Sequence, residues 1–198
     1  MKPALLAALI VAPLFPHLAQ AQAPVAAAPA TPVLGGPALA GVCLLSRPAV
    51  FATAKVGLAA TARLQQLTQQ AQAEVEGERK QIETDAKAFQ AEQAKLAPDL
   101  RQSRAQALDQ RLHAVQQKAA LRAREIEATR DKATARILAT MQPLVVQAYQ
   151  SKGCSLLIDR AAVLGGNMAN DLTPAAIQGL DARMPTINFD REVIATAQ

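Results

Sequence analysis

Two long stretches of the chain place apolar side chains at helical spacing on a polar background. In residues 53–97, Val75, Ile82, Phe89 and Leu96 recur every seven positions, preceded by Leu64, Leu67 and Ala71 at steps of three and four. In residues 99–152, Leu108, Leu112, Val115, Ala119, Arg122, Ile126, Thr129, Ala133, Ile137, Met141, Leu144 and Ala148 step by four or three throughout. Sustained stepping of this kind predicts a heptad seam, a narrow apolar stripe facing a partner helix. Between the stretches lies Leu96-Ala97-Pro98-Asp99-Leu100. Proline disfavours helix at the residue before it and suits the first turn of a new one, so the chain is expected to reverse near 97–99. The alternative is one continuous, kinked helix. Folded back, residues 53–152 make an antiparallel arm reaching about 65 Å, at 1.5 Å per residue.

Short apolar runs bracket the arm. Val42-Cys43-Leu44-Leu45 and Ser155-Leu156-Leu157-Ile158 have the length and glycine flanks of buried strands, and residues 161–164 are a third strand candidate ending at Gly165-Gly166. Thr173-Pro174 reads as an N-cap followed by proline at the first helical position, opening an amphipathic helix to about Met184. The predicted fold class is α+β. A small β-rich body (42–52 and 153–184) carries a long antiparallel coiled-coil hairpin (53–152), followed by a tail at 185–198. So few short strands bury too little surface to stand alone, and oligomerisation is the natural remedy.

The N-terminus has a different character. Lys2 precedes an apolar run broken by Pro13 and Pro16 that ends in Leu18-Ala19-Gln20-Ala21. This predicts a secretory signal at 1–21, cleaved near Ala21, and export to the periplasm. The Ala/Pro-rich, uncharged stretch 22–41 is expected to be a disordered linker leaning toward polyproline II.

Composition sharpens the reading of the arm. Aromatic residues are 3% of the chain and Trp is absent, so alanine, threonine and even Arg122 occupy seam positions. Alanine favours helix but buries little area, so pairing along the seam should be weak. The net charge is +5, and its excess lies early in the second helical stretch. Lys95, Arg101, Arg104, Arg111 and Lys118 are candidates for contact with anionic lipid headgroups of a membrane surface or with acidic segments of a client, against the plainer reading of a solvated helix face. The apolar seam candidates are Val75, Ile82, Phe89, Leu96, Leu108, Leu112, Val115 and Ile126. Nucleic acid is disfavoured, since no aromatic residues interleave with the basic ones.

Cys43 and Cys154 either form a disulfide, if their Cα atoms come within about 7 Å, or pack as two small hydrophobes. Neither has a Cys or His nearby, so no metal site is expected. His17 lies in the export signal and His113 stands alone on a charged helix, which leaves no catalytic set and no cofactor to expect.

The order of signal, strand, helical hairpin, strand and terminal helix resembles the Skp/OmpH family of periplasmic chaperones. The resemblance spans roughly residues 41–184. It is carried by Gly41-Val-Cys-Leu-Leu-Ser-Arg-Pro-Ala-Val-Phe51 and by Ser151-Lys-Gly-Cys-Ser-Leu-Leu-Ile-Asp-Arg-Ala-Ala-Val-Leu164, which looks like that family's glycine-led strand before a Val-Leu pair. It implies a homotrimer whose three arms surround a cavity that holds unfolded outer-membrane β-barrel proteins without ATP. The competing reading is a structural or tethering coiled coil of the cell envelope, which would need a tighter seam.

Overall fold

The computed structural model describes residues 35–195. The expected signal, and the linker as far as residue 34, lie outside them. The described part is mostly helical. It runs β1 (Val42–Leu45), α1 (Arg47–Thr53), α2 (Lys55–Glu92), α3 (Pro98–Ser151), β2 (Leu156–Asp159) and α4 (Thr173–Arg183), with single 3-10 turns at Gln93–Lys95 and Arg160–Ala162. β1 and β2 form a two-stranded parallel sheet in which Cys43 lies opposite Leu157 and Leu44 opposite Ile158.

The first helical stretch is not continuous. Pro48 and the Ser46 cap, whose hydroxyl accepts from the Ala49 N–H at 3.3 Å, start α1 ahead of the expected boundary. Ala54 then leaves the helix with ψ 141° before α2 begins. The corner brings Gly57 against α1 so closely that a Cβ there would sit 1.9 Å from the Phe51 carbonyl oxygen, so no other residue fits.

α2 ends at Glu92 and α3 opens at Pro98, preceded by Ala97 in extended geometry (ψ 148°). At 1.5 Å per residue, α2 is about 57 Å long and α3 about 80 Å. α3 continues through Pro143, whose flanks Met141 and Val145 are both buried in the core. It stops in a glycine-terminated cap. Gly153 (φ 64°) takes the left-handed conformation, the Cys154 N–H donates to the Tyr149 carbonyl at 3.0 Å and the Gly153 N–H to that of Gln150 at 3.1 Å. These two bonds are the Schellman pattern, and they turn the chain back toward β1.

The core lies where all the elements meet. Val50 of α1, Val56 of α2, Ile137 and Met141 of α3, and Leu172, Ala176 and Leu180 around α4 pack with Cys43 and Leu45 of β1. β1 is covered on both sides, since Leu44 also exchanges backbone hydrogen bonds with Asn170 and Leu172.

Three sequence expectations are corrected here. Residues 161–164 are not a strand, because the Asp159 side chain accepts from the Ala161 N–H at 2.9 Å and draws the chain into a 3-10 turn. β2 is not buried: Leu156 is 52% and Leu157 37% exposed, because no layer among the described residues covers that strand. Thr173 does not cap α4. Asp171 accepts from the Thr173 N–H at 2.8 Å, while the Thr173 hydroxyl accepts from the Ser46 N–H at 2.9 Å and ties α1 to α4. Of the expected tail at 185–198, residues 185–195 lie against α2 and α3, as described below.

Candidate functional site

The α2–α3 interface is stitched by ion pairs whose α2 partner falls in number as the α3 partner rises. Glu92 meets Arg104 at 3.3 Å, Asp85 meets Arg111 at 2.7 Å, Glu78 meets Lys118, and Glu74 meets Arg122 at 2.8 Å. Between them the apolar filling is thin. Leu67, Ala71, Ile82, Val115 and Ile126 are buried, while Val75, Phe89, Leu96 and Leu108 are only half-buried. Leu112, expected in the seam, is 42% exposed. Leu108 takes the place beside Phe89 in the groove near the turn, and Leu112 is left outside it.

Of the five basic candidates near the turn, Arg104, Arg111 and Lys118 are engaged by α2 carboxylates. Arg101 donates to the Gln93 and Leu96 carbonyls at 3.0 and 3.1 Å, closing the turn. Lys95 is exposed and makes no hydrogen bond or ion pair among the described residues. The basic excess read from the sequence is thus mostly matched across the helix pair. Its partners were hidden because carboxylates of the first stretch lie 12 to 48 positions away from them.

Thin filling leaves one side of the pair open. A groove of about 710 Å³ runs between Ala71, Gln72 and Val75 of α2 and Ala119, Ala123 and Ile126 of α3. A second, of about 620 Å³, continues toward the body past Ala60, Leu64 and Ala133. Thr68 and Arg130 line both, so the two form one trough. Its walls mix alanine, threonine and glutamine with the charged Glu76, Arg122, Glu127 and Arg130 over apolar floor residues, which suits a non-specific contact better than a shaped ligand pocket.

The opposite side is covered by residues 185–195. Ile187 enters the core, and Phe189 packs on Leu67, Ala71 and Ile126. Arg63 donates to the Phe189 carbonyl at 2.9 Å and pairs with Asp190 at 3.0 Å. Arg191 bridges Glu74 at 3.1 Å and Glu125 at 3.2 Å, the Glu192 N–H donates to the Thr129 hydroxyl at 2.9 Å, and Lys132 pairs with Glu192 at 2.8 Å. The one sequence signal for this strap is the period-two spacing of Ile187, Phe189 and Arg191.

Beneath the strap lies a charge cluster. The Glu125 side chain is 2% exposed, accepts from Arg122 at 2.7 Å and forms an ion pair with Arg191. Arg122, placed in the apolar seam by its spacing, therefore turns to the polar cluster instead. Hydrogen bonding from Arg191, opposed by burial and aided by Arg122, holds the Glu74 carboxyl below its usual range. At Asp171 burial acts upward, but hydrogen bonds from Thr173 and Arg160 outweigh it and the net direction is down. A carboxylate with a depressed folded pKa contributes stability above its unfolded value, and loses it as pH falls through the folded one. Far-UV ellipticity and thermal midpoint should therefore hold steady from pH 8 to 5 and fall below about pH 4.

At the body, Leu157 and Val146 stand exposed in a trough of about 440 Å³ lined also by Leu138, Met141, Val145 and Ile158, while Leu156 is exposed on the other face of β2. The outer edge of β2 has no strand partner among the described residues. Cys43 and Cys154 are joined in a disulfide with Cα atoms 5.8 Å apart. The described residues contain no cluster of three or more His, Cys, Asp or Glu that could hold a metal. No described helix is long and apolar enough to cross a membrane.

Comparison with known proteins places this arrangement. The chain is similar over 80% of its length to a crystal structure of an OmpH-like outer membrane chaperone candidate from Caulobacter crescentus, 94% of which it covers, at 42% identity and a TM-score of 0.76. No curated protein matches the chain closely enough to add to this. The profile of the family described as outer membrane protein (OmpH-like) matches residues 41–180, from the glycine before β1 to the last buried leucine of α4. With most of its length matched, and both strands, the first three helices and most of α4 inside the match, the chain belongs to the OmpH-like family.

Proposed function

We propose that this protein is an ATP-independent holdase of the periplasm that keeps unfolded outer-membrane β-barrel proteins from aggregating. The observation that carries this reading is the open, alanine-lined trough along α2 and α3 in a chain of OmpH-like fold. Unfolded chains offer many small apolar contacts and no fixed shape, and a shallow trough on a weakly filled helix pair matches them. On this reading α2 and α3 form an antiparallel hairpin arm projecting from the body, as the descending and ascending ion pairs support. The disulfide supports export to an oxidising compartment, with the signal cleaved near Ala21. Contact of the arm's end with an anionic membrane surface or lipopolysaccharide would fall chiefly to Lys95. In a dilution of a urea-unfolded β-barrel protein, equimolar arms should suppress light scattering severalfold; equal scattering with and without the chain would end this reading.

The body is proposed to assemble as a homotrimer. Support comes from the exposed Leu157 and Val146, which line one trough, from Leu156 exposed on the other face of β2, and from that strand's unpartnered edge, apolar surface beside an open strand that invites burial. Analytical ultracentrifugation at micromolar concentration should give three chains per particle, and Leu157→Glu should shift the mass toward one. A unaltered chain sedimenting as a stable monomer refutes the assembly.

A further inference from the structure

Residues 185–195 follow α4 and lie beyond the region matched by the family profile. From Ile187 to Arg191 every second side chain turns toward the arm, and the alternation ends there, Glu192 being half-buried and Val193 exposed. Ile187 is buried, Phe189 and Arg191 are half-buried, and Asn188 and Asp190 between them are exposed. This is the inward-outward alternation of a strand, laid across two helices rather than beside another strand. The main chain of the segment is held at two points, the Phe189 carbonyl by Arg63 and the Glu192 N–H by the Thr129 hydroxyl. Bonds to backbone read extension and leave the choice of side chain to the pockets below it.

Those pockets are specific in kind. Leu67, Ala71 and Ile126 make an apolar seat for one ring, and Glu74 with the buried Glu125 makes an anionic seat for one cation. With Arg191 in place, two carboxylates face two guanidinium groups. Without it, both share Arg122 alone, and Glu125 is left buried with half its compensation. The seat therefore calls for a basic group two positions after an apolar one. In a membrane-spanning β-strand residues two apart share one face, so the seat matches the end of a strand's apolar face, where a basic residue takes the next in-phase position.

We propose that this seat is a docking site for an extended segment of an unfolded polypeptide, with alternating apolar side chains followed by a basic residue, and that the protein's own residues 185–195 occupy it as an intramolecular competitor. The nature of the incoming polypeptide rests on the holdase reading; the seat and its competitor do not. A tail joined to α4 by two or three residues acts at an effective concentration in the millimolar range, so an outside segment of equal intrinsic affinity meets a site occupied most of the time. Its apparent affinity falls in proportion to the open fraction, and freeing the tail should strengthen it by roughly tenfold or more.

The test uses the full chain and a synthetic peptide of residues 184–195. The peptide, carrying a fluorophore, should bind the double variant Phe189→Ala, Arg191→Ala at least about tenfold more tightly than the unaltered chain, and a peptide with the same two replacements should bind neither. Equal binding to both chains, with unchanged ellipticity, overturns the proposal. A second measurement needs no variant. Excess isotopically heavy peptide should speed hydrogen exchange at residues 187–193 of the unaltered chain's own tail, and unchanged exchange overturns the proposal. An unfolded β-barrel protein added in place of the peptide separates the two readings. Suppressed scattering without faster tail exchange leaves the holdase and removes this site, whereas peptide-driven release without suppressed scattering does the reverse.

Discussion

Replacing both cysteines by alanine, Cys43→Ala with Cys154→Ala, is expected to lower the stability of the body by about 3–4 kcal/mol and its thermal midpoint by roughly 10 °C. The bridge spans 111 positions of sequence. A closed loop of that length removes about 4.7 kcal/mol of chain entropy from the unfolded state in the simplest account. Residual helix pairing in the unfolded arm shortens the effective loop, which brings the figure down. The staple also sits at a critical place. Cys43 is buried in β1, and Cys154 directly follows the glycine cap that ends α3, so the bond fixes where the arm's second helix returns to the sheet. Thermal melting followed by far-UV circular dichroism checks this, and a double variant melting within a degree or two of the parent would show that β1 and the core hold that corner unaided.

The second large effect is expected at the charge cluster, and its sign depends on how it is disturbed. Arg122→Ala should destabilise the chain by about 2–3 kcal/mol, because it leaves Glu125, 2% exposed, with Arg191 as its remaining counter-charge. Exchanging the pair together, Arg122→Met with Glu125→Leu, should fall within about 1 kcal/mol of the parent, since Glu74 and Arg191 still match and two desolvated charges become apolar packing. Urea unfolding of the parent and these two variants reads both values. If the concerted exchange costs as much as the single one, the cluster matters for its shape and not for its charge balance.

How far these features were legible varies with how local their causes are. The two long helices follow from spacing and composition, because helix formation is decided largely within a few turns, and Pro98 marks the restart of α3 through its own backbone geometry. The break at Ala54 was not legible, since it is set by the approach of Gly57 to the Phe51 carbonyl, a contact that exists only once the corner is folded. Arg122 fell on the seam by number, but a periodic pattern assigns a face and not a partner; Glu74, 48 positions away, decides its direction. For the same reason the basic run from Arg101 to Lys118 read as a free cationic surface until its α2 carboxylates were placed beside it. The disulfide stood open because two cysteines 111 positions apart say nothing of their distance in space. The strap is the largest omission. Two apolar residues at a spacing of two are too short a signal to separate a docked segment from a free end, and their seat is built from distant parts of α2 and α3.

The central claim is that the chain holds unfolded β-barrel proteins soluble, and it can be read almost without background because the chain contains no tryptophan. A tryptophan-containing β-barrel protein diluted from urea into buffer with the chain should remain in the supernatant after centrifugation, co-sediment with the chain in a velocity run, and keep the red-shifted emission of unfolded protein. Recovery of the β-barrel protein in the pellet to the same extent with and without the chain would contradict the account.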